Sequence, residues 1–430
     1  MSTTRTLDLF IEPERAGSYF TLPFEMPANT ARLTLRCRYE RRRERPAEGG
    51  FRAREEINIV DLGLVAPDGE LVGASGSDKS EISVSATEAT PGYRPAELVP
   101  GQWAILVGAY KVAPEGVRVT YELVFEEKRP RWLRGDLHTH TLASDGVLTA
   151  GELAAHALRH GLDFLAVTDH NQMVSAEELP RVEGLALIPG VEWTHYRGHA
   201  NFLGVGRPYD GSFAAGSLDE ARAIFETARS RGALITLNHP FEEICPWGWG
   251  FDALPFDCLE VWNGPMREAN LRSLGLWQQL LAAGKHVPAV CGSDYHRDRL
   301  FQILGGPTLC ALAGSASPAD ILAAARAGCS YMVFAPDGPA LEQSPLPGAC
   351  VRWNETRGLR LEIEGLAAGD QVRVVTAAGS ETLGQAAAGG SFAGEYELSG
   401  PGFARVEVWR EFLPGVPRLP ALLANPVYFE

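Results

Sequence analysis

The residues best suited to chemistry start at His138-Thr-His140, with Asp145 five residues further on. In an extended strand, residues two apart face the same way, so both imidazoles could hold one cation. Imidazole suits Zn, Mn or Fe, and a neighbouring carboxylate shifts a site toward harder ions. A single such pair could equally be two polar residues at a strand end. The pattern recurs, though. Apolar runs end or begin at Asp169-His170, Glu192, His199, His239 and Asp294-Tyr-His296, and seven of the ten histidines stand in or beside such settings. Chance scatter would not keep placing them at strand ends.

The elements that must position these groups follow from periodicity. From Leu133 to about Phe334, strand patterns alternate with helical ones. Helices are expected over 149–160, with Thr149 and Glu152 as a capping box, and over 217–231, with Ser217 and Glu220 in the same design. Two more are expected over 267–283 and 318–327. Strands alternating with helices imply a parallel sheet or barrel, whose functional groups gather at the C-terminal strand ends. Residues 1–130 instead read as short strands (7–11, 32–39, 57–64, 103–112 and 117–125), the signature of a β-sandwich. The Arg-rich piece Arg36 to Arg54, interrupted by Glu40, Glu44 and Glu48, reads as a solvated hairpin loop rather than a nucleic-acid patch. After Pro345 short strands return at 359–363, 371–376 and 404–408, and 384–394 is turn-like. Three domains are therefore expected: 1–130, 131–345 and 346–430, the last a small β domain packed on the central one.

A length of 430 residues suits two or three domains. The net charge of −15 argues against stable binding to duplex nucleic acid or anionic membranes. No apolar run approaches the ~20 residues of a membrane span, and the N-terminus shows no leader, so a cytoplasmic protein is expected. The seven cysteines form an odd set without a C-x-x-C pair and are expected as buried, reduced thiols. Lysine occurs only as Lys79, Lys111, Lys128 and Lys285, which reads as compositional bias. No Walker loop or G-x-G-x-x-G supports nucleotide-cofactor chemistry.

His138-Thr-His140 with Ser144-Asp145-Gly, Thr168-Asp169-His170, Gly190-Val-Glu192, Gly198-His199, Asn238-His239-Pro240 and Gly292-Ser-Asp294-Tyr-His296 together resemble the PHP (polymerase and histidinol phosphatase) family of metal-dependent phosphoesterases. The resemblance covers roughly residues 131–345. Glu192-Trp-Thr, Gly198-His199-x-Asn201 and Glu260-Val-Trp-Asn263 look like its carbaryl-hydrolase-like branch. The resemblance implies a distorted (β/α)7 barrel and two or three divalent ions, Zn, Mn or Fe. It implies one position held by His138, His140, Glu192 and Asp294. Glu192 bridges to a second with His199 and His239, and Asp145, His170 and His296 hold the third. Some members carry His where this chain has Asp145. Glu192, Asp294 and His296 are the catalytic residues it implies.

Three divalent ions would bring +6 against −3 from Asp145, Glu192 and Asp294, so a small anionic substrate, a phosphate ester of a metabolite or nucleotide, is expected. Paired metals act as Lewis acids and generate hydroxide near neutral pH. The alternatives are a carboxyl-ester or carbamate hydrolase, a 5′-3′ exonuclease, or a binding module that has kept the fold. Arg297 and Arg299 could hold phosphate or form surface salt bridges. Trp247, with Trp249 and Phe251, could stack a ring or form a lid, and Asn263 is expected to face the site. Asp169 is a candidate orienter of a histidine or a strand-end cap. His199 is preferred to His195 as a ligand, His156 and His160 read as a solvated helix face, and His286 has no assigned role.

Overall fold

The structure, a computed structural model, describes residues 2–46, 52–387 and 390–430. The chain divides into two compact units, Met1–Pro130 and Arg131–Glu430. In the first, one antiparallel sheet has the order β1 (Ser2–Ile11), β10 (Val117–Glu127), β3 (Thr30–Arg38), β8 (Glu81–Ser85). A second has the order β2 (Ser18–Met26), β9 (Gly101–Lys111), β6 (Ile59–Val65), β7 (Leu71–Ser75). Alternating side chains of both, such as Leu33, Leu35 and Tyr121 from one and Leu62, Trp103 and Ile105 from the other, share one core. Strands β4 (Arg42–Pro46) and β5 (Arg52–Glu56) form a hairpin within the Arg-rich piece, of which residues 47–51 lie outside the described residues. Its arginines face acids, with Arg45 Nε 2.9 Å from Glu55 and Arg43 Nη1 2.6 Å from Glu115.

The second unit carries the histidines. Seven strands run side by side in chain order: β11 (Arg131–Asp136), β12 (Phe164–Val167), β13 (Ala186–His195), β14 (Gly198–Leu203), β15 (Leu234–Leu237), β16 (Cys258–Asn263) and β17 (Ala289–Gly292). Short, fully buried runs such as Phe164-Leu-Ala-Val and Leu234-Ile-Thr-Leu are what strands covered on both faces require. Strand β14 is antiparallel to both neighbours, because β13 turns into it through Tyr196 and Arg197 as a hairpin. Strict β/α alternation is thus broken. Among the described residues there are four α-helices, α1 (Ala150–Arg159), α2 (Leu218–Ser230), α3 (Glu268–Ala282) and α4 (Pro318–Arg326), so the chain is mostly β. No helix joins β12 to β13 or β15 to β16; loops rich in Pro, Gly and acids occupy those spans.

The expected caps form. Thr149 Oγ1 accepts from Glu152 N while Glu152 Oε2 accepts from Thr149 N, and Ser217 Oγ accepts from Glu220 N. Glu220 turns to Gly216 N instead of completing a second box. The ladder does not close into a barrel. Strands β17 and β11 meet past their ends, through a single parallel bridge between Thr139 and Tyr295, with Asp294 N donating to His138 O and His140 N donating to Tyr295 O. Gly292 permits this approach: a Cβ there would lie 2.2 Å from His138 Cβ.

On its other edge β11 pairs with β18 (Thr308–Ala313), and β18 with β19 (Ser330–Val333). Residues 346–430, expected as a further domain, belong to this second unit. Strand 419–424 hydrogen-bonds along β19, and Asn425 exchanges hydrogen bonds with Ala289 N and O at the start of β17. The segment 384–394, expected as a turn, ends one strand at Gln385 and opens the next at Ser391, with 388–389 outside the described residues. Of the cysteines, Cys37, Cys258, Cys291 and Cys310 are buried; Cys350, on a two-residue strand, is exposed, against expectation. Among the described residues no helix is long and apolar enough to cross a membrane.

Candidate metal centre

Strand ends bring six imidazoles and three carboxylates together. His138 and His140 follow β11, His170 follows β12, Glu192 and His199 lie on β13 and β14, His239 follows β15, and Asp294 and His296 follow β17. Asp145 reaches in from the turn after His140. Glu192 is fully buried at the middle. Its Oε1 lies 3.2 Å from His138 Nε2, 3.1 Å from His199 Nδ1 and 3.3 Å from His239 Nε2. Its Oε2 lies 2.7 Å from His170 Nδ1 and 3.6 Å from His140 Nε2. Asp294 Oδ1 lies 3.0 Å from His140 Nε2 and 3.5 Å from His138 Nε2. Toward solvent, Asp145 Oδ1 is 3.1 Å from His296 Nε2 and 3.5 Å from His170 Nε2.

Around Glu192, four groups have ligand atoms close enough to share an ion: His138, His140 and Glu192; His170, Glu192 and His199; His138, His239 and Glu260; and His140, Asp145, His170 and His296; a fifth among the described residues, His286, Cys350 and Glu430, is exposed and shares no residue with these. The donor set fits divalent cations of the Zn, Mn or Fe type. The chemistry of the unpaired atoms points the same way. His138 Nε2, both nitrogens of His140, Glu192 Oε2, His199 Nε2, His239 Nδ1 and Asp294 Oδ1 are buried without an aligned hydrogen bond. Orphaned buried polar atoms are costly, and four of these, His138 Nε2, His140 Nε2, Glu192 Oε2 and Asp294 Oδ1, each lie within 3.6 Å of another, as ligand atoms do around a cation.

The electrostatics describe the same tension. Burial pushes the Glu192 and Asp294 carboxyls up, but the facing imidazoles, His138 first for each, outweigh it and hold both well below the usual carboxylate range. Burial pulls His138 down, yet Glu260, Asp294 and Glu192 raise it well above an ordinary imidazole. For His140 burial wins and the pKa falls. Two of these residues sit in the left-handed backbone region, His239 with φ +23° and Asp294 with φ +51°. Such strain persists where surrounding structure enforces it, often at functional sites.

Groups around these side chains hold them in place. Glu260 Oε1 accepts from His138 Nδ1 at 2.9 Å, and its Oε2 accepts from His239 N at 2.9 Å. Asn238 Nδ2 donates to Glu192 Oε1 at 2.9 Å. Asp136 Oδ1 accepts from His138 N and Ser293 N, tying β11 to the segment after β17, and burial raises this carboxyl to about 6. Thr194 Oγ1 lies 2.7 Å from His170 Nδ1. Supports of this kind fix ring orientation and basicity.

No family model matches the chain. The 5′-3′ exoribonuclease Rnm of Salmonella typhimurium is 43% identical over 74 residues, 15% of this chain and 25% of that protein, and the Escherichia coli K12 protein of the same name matches equally. A 5′-3′ exoribonuclease of Haemophilus influenzae is 42% identical over 60 residues. The chain thus spans about a quarter of the length of the curated relatives it matches. Among solved structures, a two-domain Bacteroides vulgatus protein described as containing a PHP-like metal-dependent phosphoesterase covers 69% of this chain and 95% of its own, at 17% identity and a TM-score of 0.39. An amidohydrolase from Chromobacterium violaceum covers 37% of this chain and 87% of its own, at 16% identity and a TM-score of 0.26.

Other expected site residues fall elsewhere. Trp247 is walled into the core, its ring against Gly198 and its Nε1 donating to Gly250 O, so it cannot stack a ligand. Asn263 is buried and acts within the protein: Nδ2 donates to Glu260 Oε2 and Asp294 Oδ2, and Oδ1 accepts from Arg267. Arg297 is exposed and donates to Asp145 O at 3.2 Å, on the open rim; Arg299 is exposed on the same turn, where its backbone pairs with Gln302. Asp169 orients no histidine. It accepts from Thr141 N, Thr141 Oγ1 and Ser144 Oγ and so pins the loop that carries Asp145. His195 stays out of the cluster, with Arg197 N donating to its Nδ1 and its Nε2 facing Ala215 O. His156 and His160 contact each other at the C-terminal end of α1, and His286 stacks on Tyr428. Asp136, and Glu260, which stood in a motif but was given no role, are contributors beyond the expected site residues. Each is an acid buried inside or at the end of an apolar run, and that is the signal that could have found them.

Proposed function

We propose that the chain is a metal-dependent hydrolase of the PHP type, on its carbaryl-hydrolase-like branch, that cleaves a phosphate ester of a small metabolite or nucleotide. The observation that carries this reading is the convergence of unpaired, buried imidazole and carboxylate atoms around Glu192. His138, His140, Glu192 and Asp294 would hold one ion, Glu192 with His199 and His239 a second, and Asp145, His170 and His296 a third. Bound there, divalent ions would polarise the ester, lower the pKa of water and clamp the attacking and leaving oxygens.

In the reaction a water oxygen bonds to phosphorus, the bond from phosphorus to the leaving alcohol breaks, and a proton ends on that alcohol. Glu192 and Asp294 would supply the negative charge that gathers the cations. His296 and Asp145 stand on the open side, where Asp145 is 59% exposed, so substrate enters there. Arg297 lies on that rim and would meet an incoming dianion. The chain's own contribution is positioning: Glu260, Asn238 and Asn263 leave the ligands few alternative rotamers.

The local match to 5′-3′ exoribonucleases favours a nucleotide-containing ester as a second reading. A carbamate or aryl carboxyl ester is the chief rival chemistry. A panel of phosphate and carboxyl esters assayed with Mn or Zn separates these. Phosphate esters should be cleaved fastest, with inorganic phosphate competing. Faster cleavage of neutral aryl esters without phosphate competition would replace the phosphoesterase reading with the carbamate-hydrolase one.

A further inference from the structure

Away from the cluster, three side chains of different chemistry meet at the surface. His286 stands in the loop before β17, Cys350 on the two-residue strand Cys350–Val351, and Glu430 directly after the strand Val427–Phe429. Asp294 and His296 follow β17, so His286 and the cluster lie at opposite ends of that strand. One nitrogen of His286, Cys350 Sγ and one Glu430 oxygen all lie within 4.8 Å of one another. His286 Nε2 is 3.5 Å from Glu430 Oε1.

The backbone fixes where these groups point. Val427–Phe429 pairs in parallel with Cys350–Val351, with Cys350 directly beside Tyr428. Tyr428 N donates to Ala349 O at 2.8 Å and Glu430 N to Val351 O at 2.9 Å, so the ladder runs one residue past the strand. Neighbours across a ladder, and residues two apart along it, share a face. Cys350, Tyr428 and Glu430 therefore lie on one side, and Phe429 is buried on the other. The His286 ring lies flat on Tyr428, with centroids 3.7 Å apart and planes 15° apart, which holds it over the same side. A surface His–Glu pair alone contributes little. An ion pair has no use for the thiol that a third segment brings to this point; a metal site does.

Zinc takes Cys, His and carboxylate ligands about 2.0–2.3 Å away in a tetrahedron, whose ligand atoms then stand roughly 3.3–3.8 Å apart. The His286–Glu430 separation of 3.5 Å matches that spacing. Asp257, which borders the same depression as His286 and Cys350, is committed to Ile235 N and to Arg229, and this leaves the fourth position to solvent. We propose that His286, Cys350 and Glu430 bind a zinc-class divalent ion, which ties the loop before β17 to the C-terminal strands. Binding there requires no turnover at the cluster.

The test is titration of the intact, reduced protein, its cluster already loaded with Zn, with Co(II). A thiolate bound to cobalt gives a near-ultraviolet charge-transfer band, and no thiolate is among the ligands proposed for the cluster. The band should saturate at one ion per chain and be bleached by added Zn, which binds such sites more tightly than Co. Cys350→Ser should abolish it. Cys245→Ser, beside His199, should leave it. His286→Ala and Glu430→Ala should each weaken Co binding roughly 100-fold or more, since loss of even an outer partner costs about 10–100-fold. All three side chains are exposed, so the variants keep the core intact. Added Zn should also raise the Tm of the native protein and not that of Cys350→Ser. No band in the native protein, a band that survives Cys350→Ser, a band indifferent to His286 and Glu430, or equal Tm responses to Zn would each overturn the proposal.

Discussion

Glu260 grips two histidines at once: Oε1 accepts from the His138 ring and Oε2 from the His239 backbone, each at 2.9 Å. With Nδ1 of His138 committed to Glu260, only Nε2 is left to face Glu192 and Asp294. Replacing Glu260 by Ala strands two buried donors and frees the ring. Metal affinity should fall about 10–100-fold, the usual cost of losing such a support. Glu260→Gln, which keeps one acceptor, should lose less. Equilibrium dialysis against Zn or Mn gives the numbers; unchanged affinity in both variants would remove Glu260 from the account.

Glu192 contacts five imidazoles, so Glu192→Gln should empty more of the cluster than loss of a rim ligand such as Asp145. A loss of hydrolysis on the order of 10²-fold or more is expected, together with reduced metal content. Elemental analysis alongside kcat checks it. A variant with normal content and rate would refute the shared role.

Gly198 sets His199 through its neighbour. Its φ is +112°, and an added Cβ would lie 2.6 Å from Trp247 Cε3. Gly198→Ala should cost on the order of 1–3 kcal/mol and lower Tm. Gly151→Ala, in the first turn of α1 with open space around it, should be neutral or stabilise by about 0.5–1 kcal/mol. Equal Tm shifts for the two would contradict the packing described.

His156 supplies a pH dependence away from the cluster. Burial, then the adjacent His160, lowers its pKa from the ordinary 6.5. The folded state therefore binds fewer protons than the unfolded one just below 6.5. The stability is fully present above that value and is lost as pH falls from 6.5 through the lowered folded pKa. His156→Gln should flatten that part of the curve. Thermal unfolding of both proteins between pH 5 and 7.5, compared as a difference, reads it out; parallel curves would show that His156 contributes nothing.

The histidine motifs could be read in the sequence because their grammar is local: an apolar run fixes a strand, and its end fixes where a ligand points. Helix starts at Thr149 and Ser217 were legible for the same reason. Strand direction was not. The alternation over 186–203 is equally consistent with a parallel or a hairpin pairing, and only the Tyr196-Arg197 turn decides it. The union of 346–430 with the central strands rests on β19 pairing with 419–424, a contact between segments distant in sequence. Trp247 reads alike in a lid or a core, because Gly and Pro around it say loop without saying burial. Glu260 and Asn263 stood out as a pair, but their role depends on partners at 138, 239 and 294, which periodicity does not link.

The central claim is that the cluster around Glu192 works only with divalent ions bound. The most direct measurement is phosphate-ester hydrolysis by the intact protein before chelation, after exhaustive chelation with content checked by elemental analysis, and after adding back Mn, Zn or Fe. The account predicts two or more ions per chain at first, loss of activity with their removal, and recovery with at least one metal. Full activity in verified metal-free protein would contradict it.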